Sequence, residues 1–498
     1  MFKNVEQSAL FSILCTCIGT GILQLPLTLK QGGWTCLLLI LLVAILTNTT
    51  GRWLIKCLYS PRGLTTSAPP RRLADYPAVG LEACGVCGKL TVQVFHKATL
   101  LGVTSIFMVL TAKFLLEGIG GGGEGFVPSL GTPADAPLWQ KRWAVVAGVI
   151  VWFPVVFIKS MKEVEPLALF GMLASLLCVL EIVVFALILQ PVTSTTAHDF
   201  QLPVPPTWLN QTNIKNGGSV DHSVFTLAQF PVAFSAITLS FGGHAVFPDI
   251  EKSMKNSQAF DATFNLAYAI LLVVYVLAAV FGFYTFGDIT YSPILCNFPR
   301  STSTVMGAVT ASTKLLIAFH VMSAYPILMT VLTTEIESSL GWRSNGANDS
   351  AGNASDDQEH GLLPAAEEPQ YEQGQVSLLR HNPPHSSTGA KNGVEDSSWS
   401  LFFKRTLLRT VLVVLTCCIA IFIPFFGLLM ELVGAMCLTM MVFVLPVVFS
   451  WSLWGDQMSM AQKVYGIFIV SVGAIGGMIG TVQALQDIAH SLQAGKHE

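Results

Sequence analysis

Residues 15–34 read CTCIGTGILQLPLTLKQGGW, a run apolar enough to enter a bilayer yet interrupted as a continuous helix should not be. Gly19, Thr20 and Gly21 stand mid-run and Pro26 follows. Glycine costs a helix about 1 kcal/mol against alanine and proline about 3, so this clustering predicts an unwound segment. Unwinding frees backbone N–H and C=O groups. In hydrocarbon such groups persist only where protein buries them or where they line a polar cavity, so a broken first span points to a solute site. The alternatives are a kinked continuous helix and a signal peptide. Against the latter, Lys3 supplies a single n-region charge and no A-x-A-like site follows the apolar run.

The chain has 498 residues, 52% hydrophobic and 11% charged, against about 25% charged in soluble domains. Its mean hydropathy is +0.60. This is the composition of a polytopic, all-α membrane protein whose solvent is the lipid bilayer. A net charge of −3, with no basic domain or stripe, excludes nucleic acid as a partner. Most of the 11 cysteines fall in apolar runs, where they act as small hydrophobes. Cys84 and Cys87 have the spacing of half a zinc or redox site, but no second pair follows, so no metal or other cofactor is expected. Neither an HExxH motif nor a nucleophile with a spaced base occurs, which argues against an enzyme.

Windows of about twenty apolar residues, the length that crosses a bilayer, number about eleven. They run over residues 8–30, 34–58, 91–117, 143–159, 166–190, 225–248, 264–286, 305–333, 406–426, 429–454 and 464–485. Lysine and arginine concentrate in one set of short loops (Lys56, Arg72, Lys89, Lys159, Lys162, Lys252, Lys255, Lys404, Arg405), which places the N-terminus in the cytosol and the C-terminus on the lumenal side. A glycosylation sequon at Asn210 falls in a lumenal loop of this topology. Three regions follow: residues 1–340 with the first eight spans, an acidic cytosolic insert at 341–403, and residues 404–498 with the last three. The insert, rich in Ser, Asn, Gly, Pro, Asp and Glu, has the composition of a disordered tether. Its acidic residues ahead of Leu362-Leu363 resemble a sorting signal read by trafficking adaptors, although Gln358 stands where an acid is usual. The sequons at Asn348 and Asn353 would stay unmodified in the cytosol.

The sixth span is punctuated like the first: residues 239–248 read LSFGGHAVFP. Two interrupted spans five apart fit an inverted five-plus-five repeat whose broken helices meet at the midplane. Half-helix N-termini there suit a carboxylate and unwound carbonyls suit a cation, so a zwitterionic amino acid is the natural ligand. Alternatively, Gly242 and Gly243 only allow close helix packing.

GTGILQLPLTLKQGGW, ADYPAVGLEACGVCGKL (residues 74–90), FGGHAVFPDIEKSMKN (241–256) and IPFFGLLMELVGA (423–435) together resemble the amino acid/auxin permease family. The similarity lies nearest its vesicular inhibitory and plant vacuolar amino acid transporter branch. The resemblance implies eleven spans, a leucine-transporter-type inverted repeat with broken helices 1 and 6, and secondary active transport of neutral amino acids. It also implies coupling to protons, or to sodium in some branches, and a vacuolar, lysosome-like or vesicle membrane ahead of the plasma membrane. A non-transporting amino acid sensor is the alternative from another class.

On this reading the N–H groups of Thr20, Gly21 and Ile22 hold the substrate carboxylate. The carbonyls of Cys17, Ile18 and Gly19, with Leu239 and Ser240 opposite, face its ammonium group, and Gly242 and Gly243 form the second break. His244 either titrates as a gate or stays neutral against a carbonyl. Ionisable residues deep in spans are functional candidates by default, which selects Glu181, Lys314 and His320 for proton coupling. The resemblance implies that Lys314 or His320 takes the place of a bound cation, while Glu181 is either a proton carrier or the buried partner of a polar group. Glu117 and Glu431 fall near span ends and are expected to reach the interface.

Overall fold

A computed structural model describes residues 5–59, 72–120, 145–150, 165–203, 211, 218–299, 304–340, 342, 398–423 and 425–494. The chain forms two compact units, one of residues 1–332 and 409–498, the other of residues 333–408. Among the described residues the structure is helical apart from one isolated β-bridge, Thr193 to Ser219.

In the larger unit the first span is two pieces. Helix α1, Gln7–Cys17, ends where Ile18 turns extended. A 3₁₀ turn at Thr20–Gln24 leads into α2, Leu25–Gly32, with Pro26 in its first turn, where a missing N–H costs nothing. The two halves are bent by 41°. Helix α3, Cys36–Cys57, is the second span. Helix α4, Tyr76–Leu115, is capped by Asp75, which accepts from the Ala78 N–H at 2.8 Å. It is broken at Cys84 and Gly85, so the stretch 74–90, expected to be a loop, is mostly helix folded back at that break.

The fifth span is α5, Glu165–Leu189, followed by a short outer helix, α6, Ser194–Asp199. The sixth span is again two pieces, α7 at Phe230–Ser240 and α8 at Phe247–Ser253. Helix α9, Phe260–Phe286, and α10, Val305–Ser339, are the seventh and eighth. Helix α11, Ser398–Phe422, begins inside the stretch assigned to the insert. The tenth span starts as α12, Phe426–Val433, passes through two π-helical turns at Gly434–Leu438 and Met440–Val444, and ends as α13, Leu445–Trp454. Helix α14, Met460–Ala494, closes the chain. Among the described residues eight helices are long and apolar enough to cross a membrane, nine with the bent first span; the divided sixth span brings the spans found there to ten. The fourth predicted span lies outside the described residues except for a helical stretch at 145–150. Asn210, Asn348, Asn353 and the dileucine also lie outside them.

Spans 1, 6 and 10 approach one another unusually closely. A Cβ on Gly21 would stand 2.8 Å from Ser240 Oγ, and one on Gly434 only 2.1 Å from the Ser235 carbonyl oxygen. Glycine is required at both places by the neighbouring backbone. In the smaller unit, Arg405 Nε lies 3.1 Å from Glu337 and its Nη2 donates to the Trp342 carbonyl at 3.1 Å.

Candidate functional site

The breaks in the first and sixth spans face each other across one side chain. Tyr275, on α9 and fully buried, places its hydroxyl 2.6 Å from the Cys17 carbonyl oxygen and 2.6 Å from that of Ser240. Both carbonyls are helix-end acceptors that lack an intrahelical donor. One hydroxyl proton is shared between them. The ring packs edge-on against Phe241, 4.8 Å between centroids, and Tyr268 donates to the Phe241 carbonyl at 3.4 Å.

Beside this junction is a narrow crevice lined by Gly19, Thr20, Ile22 and Leu23 of the first span, Ser175 and Cys178 of α5, and Ile317 of α10. It is too tight to hold a water. The Ile22 N–H is already taken by the Gly19 carbonyl at 3.3 Å. Those of Thr20 and Gly21 open the 3₁₀ turn, the position at which a helix offers its N–H donors no acceptor of its own.

The predicted residues therefore divide. Gly19, Thr20 and Ile22 line the crevice, the Cys17 and Ser240 carbonyls meet at Tyr275, and Gly21 lies against Ser240. Ile18 is buried at the end of α1. Leu239 and Gly242 look the other way: their carbonyl and N–H bond each other at 3.1 Å, and both approach span 10, at Gly434 and Leu438 respectively. Gly243 rests against the Phe247 ring, with Cys17 Sγ next nearest. His244 is 1% exposed and turned towards α3, with Nε2 2.9 Å from Thr50 Oγ1 and Nδ1 unpartnered among the described residues.

Helices α5 and α10 run antiparallel past the crevice, and the ionisable candidates stack along them. Thr310 donates to Glu181 at 2.7 Å on one side of the crevice, and His320 lies over Gly171 on the other. Lys314 is 2% exposed and its Nζ is 2.9 Å from Glu117 Oε2. Glu117 does not reach the interface; it serves this ammonium, and Cys296 Sγ lies 3.6 Å from each of its oxygens. The Lys314–Glu117 ion pair thus sits about one turn along α10 from Ile317.

Glu431 also departs from expectation. It is 1% exposed, and its Oε1 accepts from Gln31 Nε2 at 2.7 Å and Gln24 Nε2 at 3.2 Å. The start of α12 packs against α4, α7 and α14, which buries Glu431 although it stands near its span's end. The rule that selected Glu181, an ionisable residue deep in a span, passes over Glu431 because it stands near the start of its span. Tyr275, Thr50 and Gln24 gave no comparable signal.

A family model described as transmembrane amino acid transporter protein matches residues 6–486. The chain belongs to that family. Amino acid transporter AVT1D of Arabidopsis thaliana is 22% identical over 492 residues, covering 97% of this chain and 69% of the relative. The human vesicular inhibitory amino acid transporter is 22% identical over 485 residues, covering 96% and 75%. Among solved structures, MhsT in complex with L-phenylalanine is similar at a TM-score of 0.46 and 13% identity, over 96% of this chain and 98% of that one. A manganese transporter of Eremococcus coleocola gives 0.49 and 13%, over 98% and 91%. As a member of the family, the chain is a multi-pass membrane protein for amino acid transport, not an enzyme.

Proposed function

We propose that this transporter moves neutral amino acids by alternating access, coupled to protons, in a vacuolar, lysosome-like or vesicle membrane with its N-terminus cytosolic and its C-terminus lumenal. The observation that carries the reading is the Tyr275 hydroxyl held between the Cys17 and Ser240 carbonyls. Both carbonyls are the acceptors an ammonium group needs, and the N–H groups of Thr20 and Gly21, which open the 3₁₀ turn, lie on the carboxylate side of the same break. Substrate binding then exchanges one shared hydroxyl proton for a cationic donor. The crevice walls are apolar or neutral, Ile22, Leu23, Cys178 and Ile317, which fits a neutral side chain.

Proton coupling draws support from the buried Lys314 ammonium, a resident cation beside the crevice where sodium coupling needs an empty site. The lysine and arginine distribution supports the orientation, and the vesicular relative supports the membrane. The experiment is uptake of a labelled neutral amino acid mixture into proteoliposomes holding the full chain, under an imposed pH gradient without sodium. Uptake that a protonophore abolishes is expected. Flux that appears only with sodium overturns the coupling, and binding without flux turns the reading to a sensor.

A further inference from the structure

Glu431 has an unusual set of partners for a buried carboxyl. Two amide N–H groups, from Gln24 and Gln31, point at one oxygen, Oε1. Its other oxygen, Oε2, and the Gln31 side-chain oxygen are both buried without a hydrogen-bond partner among the described residues. Both are acceptors, and among the described residues no donor reaches either of them. A proton on the carboxyl supplies the missing donor and removes the charge. An unpaired ion buried there would cost several kcal/mol, and among the described residues no cation forms an ion pair with Glu431.

The same carboxyl has a route to water. It lines an open recess of about 350 Å³, which Lys30, Lys113, Gln229, Ser292 and Asp487 also line. Lys30 faces it from α2, where its Nζ donates to the Thr290 carbonyl at 3.1 Å. Lys113 comes from α4, Asp487 from α14, and α7 contributes only the neutral Gln229 side chain from its start. Two cations and one anion line the recess, with Asp288 acting on Lys30 and Lys113 interacting with Cys296, and the two ammonium groups favour a carboxylate once the side chain turns outward.

The recess also connects to the break. Gln24 closes the 3₁₀ turn whose first residues line the crevice, and Gln31 lies at the far end of α2. Glu431 thus grips the second half of the broken first span at both ends. Ser292, whose hydroxyl bonds Gln24 Oε1, ties the same turn to the recess wall.

We propose that Glu431 is a proton site and gate at this end of the transporter, closing on Gln24 and Gln31 when protonated and releasing them when its proton leaves through the recess. The proposal rests on the proton-coupled reading above. The proton passes from the Glu431 carboxyl to water in the recess, and the carboxylate left behind is met by Lys30 and Lys113. No other bond is made or broken.

The test uses the full chain in proteoliposomes and compares two fluxes of the labelled neutral amino acid mixture: uptake driven by a pH gradient, and counterflow without one. For Glu431→Gln the ratio of driven uptake to counterflow falls about tenfold, the scale of a lost coupling between sites. A proportional fall in both fluxes would mark a structural role and overturn the proposal, as would an unchanged ratio. Gln31→Leu decides the matter if Glu431→Gln fails to fold. Losing a partner on which the protonated carboxyl closes moves the pH midpoint of driven uptake downward, and an unmoved midpoint overturns the gate. If the unmodified chain responds to sodium and not to the pH gradient, the coupling itself has failed, an outcome separate from failure of Glu431.

Discussion

Glu251 and Glu431 sit at opposite ends of the paired broken spans and are both 1% exposed, yet their surroundings differ in kind. Glu251, on α8, is held by Arg72, with Nη2 at 2.6 Å and Nε at 2.7 Å, and by the Tyr59 hydroxyl. Arg72 continues to the Pro248 carbonyl at 2.6 Å. Arginine keeps its proton at every cellular pH, so that end is fastened by a permanent pair of charges. Glu431 has only amides, which carry no charge and offer the carboxylate no counter-ion. Equal burial therefore does not mean an equal role: the first glutamate is a latch, the second is suited to exchange a proton.

The largest expected effect tests the latch. Arg72→Ala leaves Glu251 buried without its counter-ion, and breaking such a pair from one side costs about 3–5 kcal/mol. Thermal unfolding of the purified protein in detergent should register that loss, whereas Glu431→Gln, which swaps a neutral acid for an amide of the same shape, stays within about 1 kcal/mol. Equal losses in the two variants would mean that both glutamates are charged latches, and the comparison would collapse.

A smaller effect separates the breaks from both ends. Tyr275→Phe removes the proton shared by the Cys17 and Ser240 carbonyls and leaves two buried acceptors, at a cost of about 1–3 kcal/mol. Counterflow should weaken with it, because the acceptors no longer hold the two breaks at a fixed spacing. Unchanged stability and counterflow would show that the hydroxyl is incidental and that the breaks are positioned by the glycine contacts at Gly21 and Gly434 alone.

Tyr275 also marks the limit of what could be read in advance. The breaks at Gly19 and Gly242 were legible because glycine and proline act on their own few residues of backbone. The partner that joins them was not, since Tyr275 is 258 residues from Cys17 and 35 from Ser240, and a tyrosine in an apolar run has no local signature of its target. Lys314 stood out because ammonium in a span demands a partner. That the partner is Glu117 depends on how α4 ends against α10, which no short motif records. Glu431 was misplaced for a related reason: distance from a span end predicts exposure only if that end meets the interface, and here neighbouring helices cover it.

The smallest effect concerns a third glutamate, on the latch side. Glu6 precedes α1 and receives the backbone N–H groups of Lys255 at 3.1 Å and Asn256 at 3.3 Å, just beyond α8. The Lys255 N–H holds its carboxyl below the ordinary value of 4.5. A carboxyl lowered on folding stabilises fully above that ordinary value, and the contribution is lost only as pH falls through the lower folded value. Glu6 is therefore ionised throughout the pH range of a cytosol, and its contact is constant there. Glu6→Gln should leave the pH midpoint of driven uptake where it is and shift the unfolding temperature only slightly, by an amount that fades as unfolding is repeated in more acidic buffer. A moved midpoint would place proton exchange at the latch end as well, and the division of labour between Glu251 and Glu431 would no longer hold.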